Sequence, residues 1–371
     1  MPIPLLDLKA QFETIRDDVV PAILDVVESQ RFIMGELVER LECAIAGLAG
    51  ASCGIACASG TDALLLSLKA LRLEPGDEVI TTPFTFFATA GAICNAGGRP
   101  VFVDIDPDTF NIDVDQAAAA VSSRTRAIVP VHLFGQMARM ESLTALAEQH
   151  DLAIVEDAAQ AIGARRQIDG RWRSAGGLGT TGAFSFFPSK NLGCWGDGGM
   201  IVTSDRELAA RLRKLRTHGG AKQYHHEEVG INSRLDAIQA AVLLTKVPHL
   251  GAWADARRAN AARYAQCWED VDTVRCPLTD PGNEHVYHQY TIRAERRDEL
   301  KTFLSERGIG SAVYYPRALH MQPCFADLGY REGQFEASER ACDEVLSLPI
   351  YPELSEQQLD EAVAVVKEFY R

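Results

Sequence analysis

The sequence predicts an α/β protein, a parallel or mixed sheet covered by helices, followed by a smaller α+β unit. Three observations carry this. From about residue 50 to 205, short apolar runs of strand length alternate with segments of helical spacing. From about 206 to 270 the chain reads as mostly helical. CPLTDPGNEH, residues 276–285, then breaks the pattern with prolines and a glycine, and a strand–helix–strand order follows.

The strands come first. EVITTPFTF, RPVFVDID, RAIVPVHLFG, LAIVEDAA, GAFSFF and GMIVTS are apolar through most of their length, as strands buried on both faces are. TDALLLSLKALR and MESLTALAEQH supply helices between them, and LDAIQAAVLLTKV is the clearest amphipathic stretch. In the C-terminal unit, VYHQYTIR reads as strand, DELKTFLSERG as helix and SAVYYP as strand, with LSLPIYP and a final helix after them. The division is placed at residues 1–250, a large domain with an N-terminal arm, and 251–371, a small one.

A chain of 371 residues, 47% hydrophobic and 24% charged, is long enough for one large core and a second smaller one. Its formal charge of -14 and the lack of a basic tract argue against a nucleic-acid partner. No run reaches membrane-spanning length, and the opening MPIPLLDLKAQFETIRDDVV carries early acids and no signal-peptide pattern, so the expectation is a cytoplasmic protein. The nine cysteines are scattered, with no Cys-x-x-Cys and no Cys/His cluster at metal-ligand spacing. Free thiols and no metal follow, and Cys194 reads as a small apolar residue.

Chemistry concentrates in FSFFPSKNLGCWGDGG, residues 184–199. Lys190 sits between an aromatic run (Phe184, Phe186, Phe187) and four glycines (Gly193, Gly196, Gly198, Gly199). A lysine at the edge of an apolar core loses its proton more easily than a solvated one, and a neutral amine condenses with an aldehyde. An ordinary surface lysine is the competing reading. In CASGTDALLLSL, a strand enters Ser59-Gly60-Thr61 and a helix begins at Thr61 or Asp62. Its free N–H groups suit a phosphate, although a plain capped helix has the same look. In VEDAAQA, Asp157 stands at the carboxyl end of a strand, where a carboxylate can bond a protonated ring nitrogen, with Gln160 within reach of a ring substituent. An N-cap aspartate is the alternative. Ser185 precedes Lys190 by five residues, and the bend at Pro188 lets both converge on one site. GLGTTG, residues 177–182, matches G-x-G-x-x-G but precedes a strand instead of opening a helix, so a nicotinamide enzyme is a poor second.

CASGTDAL, TPFTFFAT, VEDAAQA, FSFFPSKNLGCWGDGG and GINSRLDAIQAA stand in one order, and with them the chain resembles the DegT/DnrJ/EryC1/StrS family from LLDLKAQ to LSLPIYP. That family comprises pyridoxal-phosphate-dependent aminotransferases acting on nucleotide-linked keto sugars. The resemblance implies the aspartate-aminotransferase-like fold (PLP fold type I), a homodimer with active sites at its interface, pyridoxal 5'-phosphate as cofactor and L-glutamate as amino donor. By matching motifs, Lys190 holds the cofactor as a Schiff base, Asp157 partners the pyridine nitrogen and Gln160 lies beside the ring hydroxyl. Gly60, Thr61 and Ser185 hold the phosphate, with Asn232 reaching in from the second subunit. Phe86 lies against the cofactor face, with Phe84 as the fallback. The glycines after Lys190 then let chain and cofactor lie close together. The family includes dehydratases with histidine at the lysine position, so Lys190 favours transamination. Trp195 fills a slot where a smaller side chain is expected.

RTHGG, QYHHEEVGINSRLD and AVYYPRALH resemble the branch that aminates the 3-keto position of UDP- or dTDP-linked sugars. A UDP-linked 3-keto amino-uronate leads, of the UDP-2-acetamido-2-deoxy-3-oxo-glucuronate type, ahead of a dTDP-3-keto-6-deoxyhexose. Substrate contacts are expected from Arg234, His225, His226, Tyr315 and His320, with an interface ion pair as the other reading of Arg234. Two alternatives stand beside this. One is a catalytically silent relative that binds the cofactor for structural or regulatory ends. The other acts on free amino acids and needs a carboxylate-binding arginine, for which Arg317 is the only nomination.

Overall fold

A computed structural model describes residues 2–222, 224–268 and 271–371. The first half comprises α1 (Leu8–Ser29), α2 (Glu36–Ala49), β1 (Cys53–Cys57), α3 (Gly60–Ala70), β2 (Glu78–Thr81), α4 (Ala88–Asn95), β3 (Arg99–Phe102), α5 (Val114–Ala119), β4 (Thr125–Ile128), α6 (Met140–His150) and β5 (Ala153–Asp157). After them come β6 (Arg165–Ile168), β7 (Arg171–Ser174), β8 (Thr181–Ser185), β9 (Gly199–Thr203), α7 (Arg206–Leu215), α8 (Ala237–Lys246) and α9 (Leu250–Cys267). The C-terminal part holds β10 (Val274–Arg275), β11 (Asn283–Glu284), β12 (Tyr290–Ala294), α10 (Arg297–Glu306), α11 (Glu336–Glu344), β13 (Val345–Leu348) and α12 (Glu356–Phe369).

Seven strands form one mixed sheet in the order β1-β9-β8-β5-β4-β2-β3. β3, β2, β4, β5 and β8 run parallel, and β9 is antiparallel to both its neighbours. The carboxyl ends of the parallel strands therefore share one edge. Neighbouring strand residues point to opposite faces, as the pleat requires. Val79, Val155 and Ile201 pack with Leu64 and Leu68 of α3 and Leu212 of α7. Ile80, Ile154 and Met200 pack on the other face with Leu41 and Ile45 of α2, Leu143 of α6 and Leu243 of α8.

EVITTPFTF and RAIVPVHLFG are strand only at their starts. Pro83 and Pro130 bring no N–H to a ladder, and the chain leaves the sheet there. The helical expectation for 206–270 fails between Leu215 and Ala237, where no helix forms among the described residues; Gln223, Glu269 and Asp270 lie outside them. Backbone crosses backbone there. A Cβ on Gly219 would stand 1.7 Å from the Glu228 carbonyl oxygen, and one on Gly230 would stand 2.3 Å from that of Leu215. SAVYYP is not a strand either, touching β13 through a single bridge, Ala312 to Ser347.

GLGTTG has a structural task. The Glu156 carboxylate, fully buried, accepts N–H bonds from Gly176 (2.8 Å), Leu178 (2.7 Å) and Gly179 (2.6 Å), and its fourth partner is His132 Nε2 at 2.9 Å. His132 Nδ1 accepts from the Ala138 N–H at 3.2 Å, so the ring proton sits on Nε2 and faces Glu156. Glu156→Ala leaves these donors unpaired in the core, and the expected cost is about 2–4 kcal/mol in urea unfolding.

A second core gathers Tyr264, Tyr290, Leu300, Leu304, Leu346 and Leu359 of the C-terminal part. Ile3 joins it and bridges to Ile309, so the first residues pack with the C-terminal unit instead of the large one. Among the described residues no helix is long and apolar enough to cross a membrane.

Candidate active site

The carboxyl ends of β5 and β8, the start of α3 and the segment 314–315 surround a cavity of about 570 Å³. Lys190 lies in its wall, on the turn that follows β8 at Pro188. Burial pushes its ammonium down to about 8, and the Asp157 charge pulls the other way.

The glycines around this turn serve the protein's own packing. A Cβ on Gly60 would lie 2.6 Å from Ser185 Cβ, one on Gly199 2.2 Å from the Ser59 carbonyl oxygen, and one on Gly193 2.3 Å from the Pro188 carbonyl oxygen. At Gly193 and Gly199 the close approach is between parts of this chain. These two glycines let the lysine turn fold on itself and let β9 pass against the Ser59–Gly60 loop. Ser59 caps α3, accepting from the Asp62 N–H at 3.1 Å, so the helix starts at Gly60, one residue earlier than expected. The N–H groups of its first turn and the Ser185 hydroxyl face one end of the cavity, a setting for an anion.

Asp157 ends β5 at the other side, 5% exposed. Thr89 Oγ1 donates to its Oδ2 at 2.7 Å, and Thr85 Oγ1 stands 3.2 Å behind Thr89. Among the described residues Oδ1 receives only a long 3.3 Å bond from the Ala159 N–H. Burial raises the carboxyl above its ordinary range, against the Thr89 bond and the Lys190 charge. A cation at Oδ1 would complete it. Gln160 sits in the same wall with its amide engaged, Oε1 accepting from the Phe134 N–H (2.7 Å) and Nε2 donating to the Tyr315 hydroxyl (3.1 Å). Phe86 is 58% exposed and lines the cavity, 6.3 Å from the Tyr315 ring. Phe84, the fallback, is fully buried among Phe110, Phe134 and Tyr315.

Gly60, Thr61, Phe86, Asp157, Gln160, Ser185, Lys190 and Tyr315 thus meet at one cavity. Asn232, Arg234, His225 and His226 do not reach it in this chain. They lie exposed on the 216–236 loop, where Asn232 bridges to Thr217 and His226 Nδ1 donates to the His218 carbonyl at 3.0 Å. His320 is corrected more firmly: it is buried, its Nε2 is 3.0 Å from Glu339, and its ring meets Phe335 edge-on. Arg317 is exposed and outside the cavity lining. Trp195 is accommodated away from the cavity, its backbone bonded both ways to the Gln239 amide (2.7 and 3.1 Å) and its indole edge-on to Phe12. Sequence reasoning missed Thr85, Thr89, His288 and Gln289. The four-residue spacing of the two threonines was the one available signal for the first pair.

An amine that is half neutral near pH 8, an incompletely partnered carboxylate and a helix start can together receive an aldehyde that carries a cationic ring nitrogen and a phosphate. The model of the DegT/DnrJ/EryC1/StrS aminotransferase family matches residues 13–367. The chain belongs to this family. It is a family of pyridoxal-phosphate-dependent aminotransferases, and the mixed sheet described above is consistent with PLP fold type I. The chain is 52% identical, over all of its length and 99% of the relative, to a Geobacillus stearothermophilus protein named pleiotropic regulatory protein. It is 46% identical, over 98% of this chain and 97% of the relative, to UDP-N-acetyl-3-dehydro-alpha-D-glucosamine 3-aminotransferase of Acidithiobacillus ferrooxidans. Among solved members of the family, the S. venezuelae DesV structure matches with a TM-score of 0.95 at 42% identity, covering 99% of this chain and 98% of that one.

Proposed function

We propose that this chain is a pyridoxal-phosphate-dependent aminotransferase that moves the amino group of L-glutamate to the 3-keto position of a nucleotide-linked sugar. The observation that carries it is the opening of Lys190, Asp157 and the α3 start on one cavity, in a chain of this family. The residues fit the cofactor. Lys190 Nζ would take the aldehyde, Asp157 Oδ1 the protonated ring nitrogen, and the Gly60–Thr61 N–H groups with Ser185 the phosphate. Phe86 would cover a ring face and Gln160 would sit beside the ring hydroxyl. When bound, the cofactor supplies an electron sink for the carbon that loses its proton. Lys190 then works as the base that takes this proton at Nζ and returns it, a task its lowered basicity suits. Asp157 keeps its negative charge beside the ring nitrogen, and Thr89 holds the carboxylate in place.

The UDP-linked N-acetyl-3-keto-glucosamine type is favoured as amino acceptor by the 46% relative, ahead of the 3-oxo-glucuronate, whose named relative is 41% identical, and of dTDP-3-keto sugars. We take the protein as a cytoplasmic homodimer of chains with domains 1–250 and 251–371. The free cysteines and the exposure of Tyr224 (89%) and Val229 (85%) between α7 and α8 support the compartment and the dimer, and the two cores support two units, although Ile3 packs in the second core and Ala254 and Val286 in the first. Between α7 and α8, Asn232, Arg234, His225 and His226 would serve the partner's cavity. A regulatory role draws only on printed names, a pleiotropic regulatory protein and a sensory transduction protein among the relatives, and the paired amine and carboxylate favour catalysis.

The test is a panel of 3-keto and 4-keto nucleotide sugars offered to glutamate-treated enzyme. Product aminated at C3 of a UDP sugar is expected. Turnover confined to 4-keto sugars would sink the assignment. Gly60→Ala has a second expected outcome: with 2.6 Å to Ser185 Cβ, the added methyl displaces the phosphate loop, and cofactor affinity in an absorbance titration falls by about 10-fold or more.

A further inference from the structure

VYHQYTIR, read above only as a strand, places an unused acceptor on the cavity wall. His288 is 8% exposed and lines the cavity with Lys190. Its Nδ1 lies 3.1 Å from Asn191 Oδ1, and Asn191 Nδ2 donates to the Val286 carbonyl at 3.0 Å. A carbonyl only accepts, so the amide nitrogen of Asn191 must face Val286 and its oxygen must face His288. The ring proton is therefore on Nδ1, and Nε2 carries a lone pair. Among the described residues the only side-chain hydrogen bond of His288 is the one at Nδ1, so Nε2 has no partner on a ring that lines the cavity. Burial and the Lys190 and Arg257 charges hold the imidazole well below its ordinary range, so the ring is neutral at working pH. Gln289 lines the same wall, and its Oε1 is buried without a partner.

A neutral acceptor does not attract a carboxylate. It fits a donor, either a hydroxyl or an ammonium group. Glutamate brings one ammonium, and that group is consumed at the reacting centre. The sugar brings several hydroxyls. We propose that His288 determines specificity for the amino acceptor, its Nε2 taking a hydrogen bond from a hydroxyl of the keto sugar. The inference rests on the amino-transfer reading above.

Two substitutions separate this role from a structural one. His288→Asn keeps a donor at the Nδ1 position for Asn191 and deletes the cavity acceptor. His288→Gln loses the bond to Asn191 and keeps an amide oxygen near the Nε2 position. Each half-reaction is followed by the cofactor absorbance, first with glutamate and then with the UDP-linked 3-amino sugar run in reverse. Both variants are expected to react with glutamate within about twofold of wild type, which also shows that they are folded. With the amino sugar, His288→Asn is expected to lose about 10- to 100-fold, mainly in KM, and His288→Gln less than about fivefold. A deoxy analogue lacking the contacted hydroxyl should erase the difference between wild type and His288→Asn. Wild-type behaviour of His288→Asn with the sugar overturns the proposal, and so does loss in His288→Gln alone. Equal losses with glutamate and sugar assign His288 to the lysine turn and overturn it as well. A wild type inert to glutamate overturns the amino-transfer reading, and this inference with it.

Discussion

Lys190→Ala is expected to lower amino transfer by on the order of 10⁴-fold or more, because it removes both the amine that captures the cofactor and the base that moves the proton. The fold should survive, since Lys190 lines a cavity and fills no core. The same residue sets a pH dependence. With its ammonium pushed down to about 8, half of the amine is neutral near that pH in cofactor-free protein, where an ordinary lysine has roughly 0.3%. The neutral fraction rises with pH, so the rate of cofactor capture should climb through pH 7 to 8 and level off above about 9. Stopped-flow absorbance at fixed pyridoxal phosphate reads this directly. A rate still rising steeply at pH 10 would mean an ordinary lysine.

Asp157→Asn is the second large effect. Asparagine keeps the shape and takes away the charge, leaving a ring cation in a buried site without its counter-ion. Breaking a buried pair in this way costs about 3–5 kcal/mol, so kcat at full cofactor occupancy should fall by about 10²- to 10⁴-fold. Thr89→Val should show a fainter version, about 10-fold, because it removes the 2.7 Å bond that orients Oδ2 and leaves the charge. If Asp157→Asn, fully loaded, kept kcat within about fivefold of wild type, Asp157 would not be the ring partner.

The mixed sheet and the lysine turn were legible in the sequence because they depend on local signals: unbroken apolar runs, Pro188, and a lysine among aromatics and glycines. Loops that depend on packing were not. Nothing in the helical spacing of 206–270 announces that Gly219 and Gly230 must lie against other backbone. The β6–β7 hairpin did carry a signal that went unread, Asp169-Gly170, both with positive φ (49° and 72°), the usual two-residue turn. At the site, residues on the four motifs up to Lys190 met at the cavity, Asn232 on the GINSRLD motif did not reach it in this chain, and those nominated from their neighbourhood fared unevenly. Tyr315 reaches the cavity, whereas His320 follows it by five residues and is turned into an aromatic cluster with Glu339. The G-x-G-x-x-G match deceived because a buried carboxylate wants the same backbone N–H groups that a phosphate does. His288 could not be found from the sequence, since its role depends on the Asn191 amide, which lies 97 residues away.

The central claim is amino transfer at Lys190, and one pair of spectra tests it: wild type and Lys190→Ala, each loaded with pyridoxal phosphate, before and after L-glutamate. The account predicts a visible band in wild type that bleaches with glutamate, and no such bleaching in the variant. A wild-type band indifferent to glutamate, or bleaching that persists without the lysine, would contradict it.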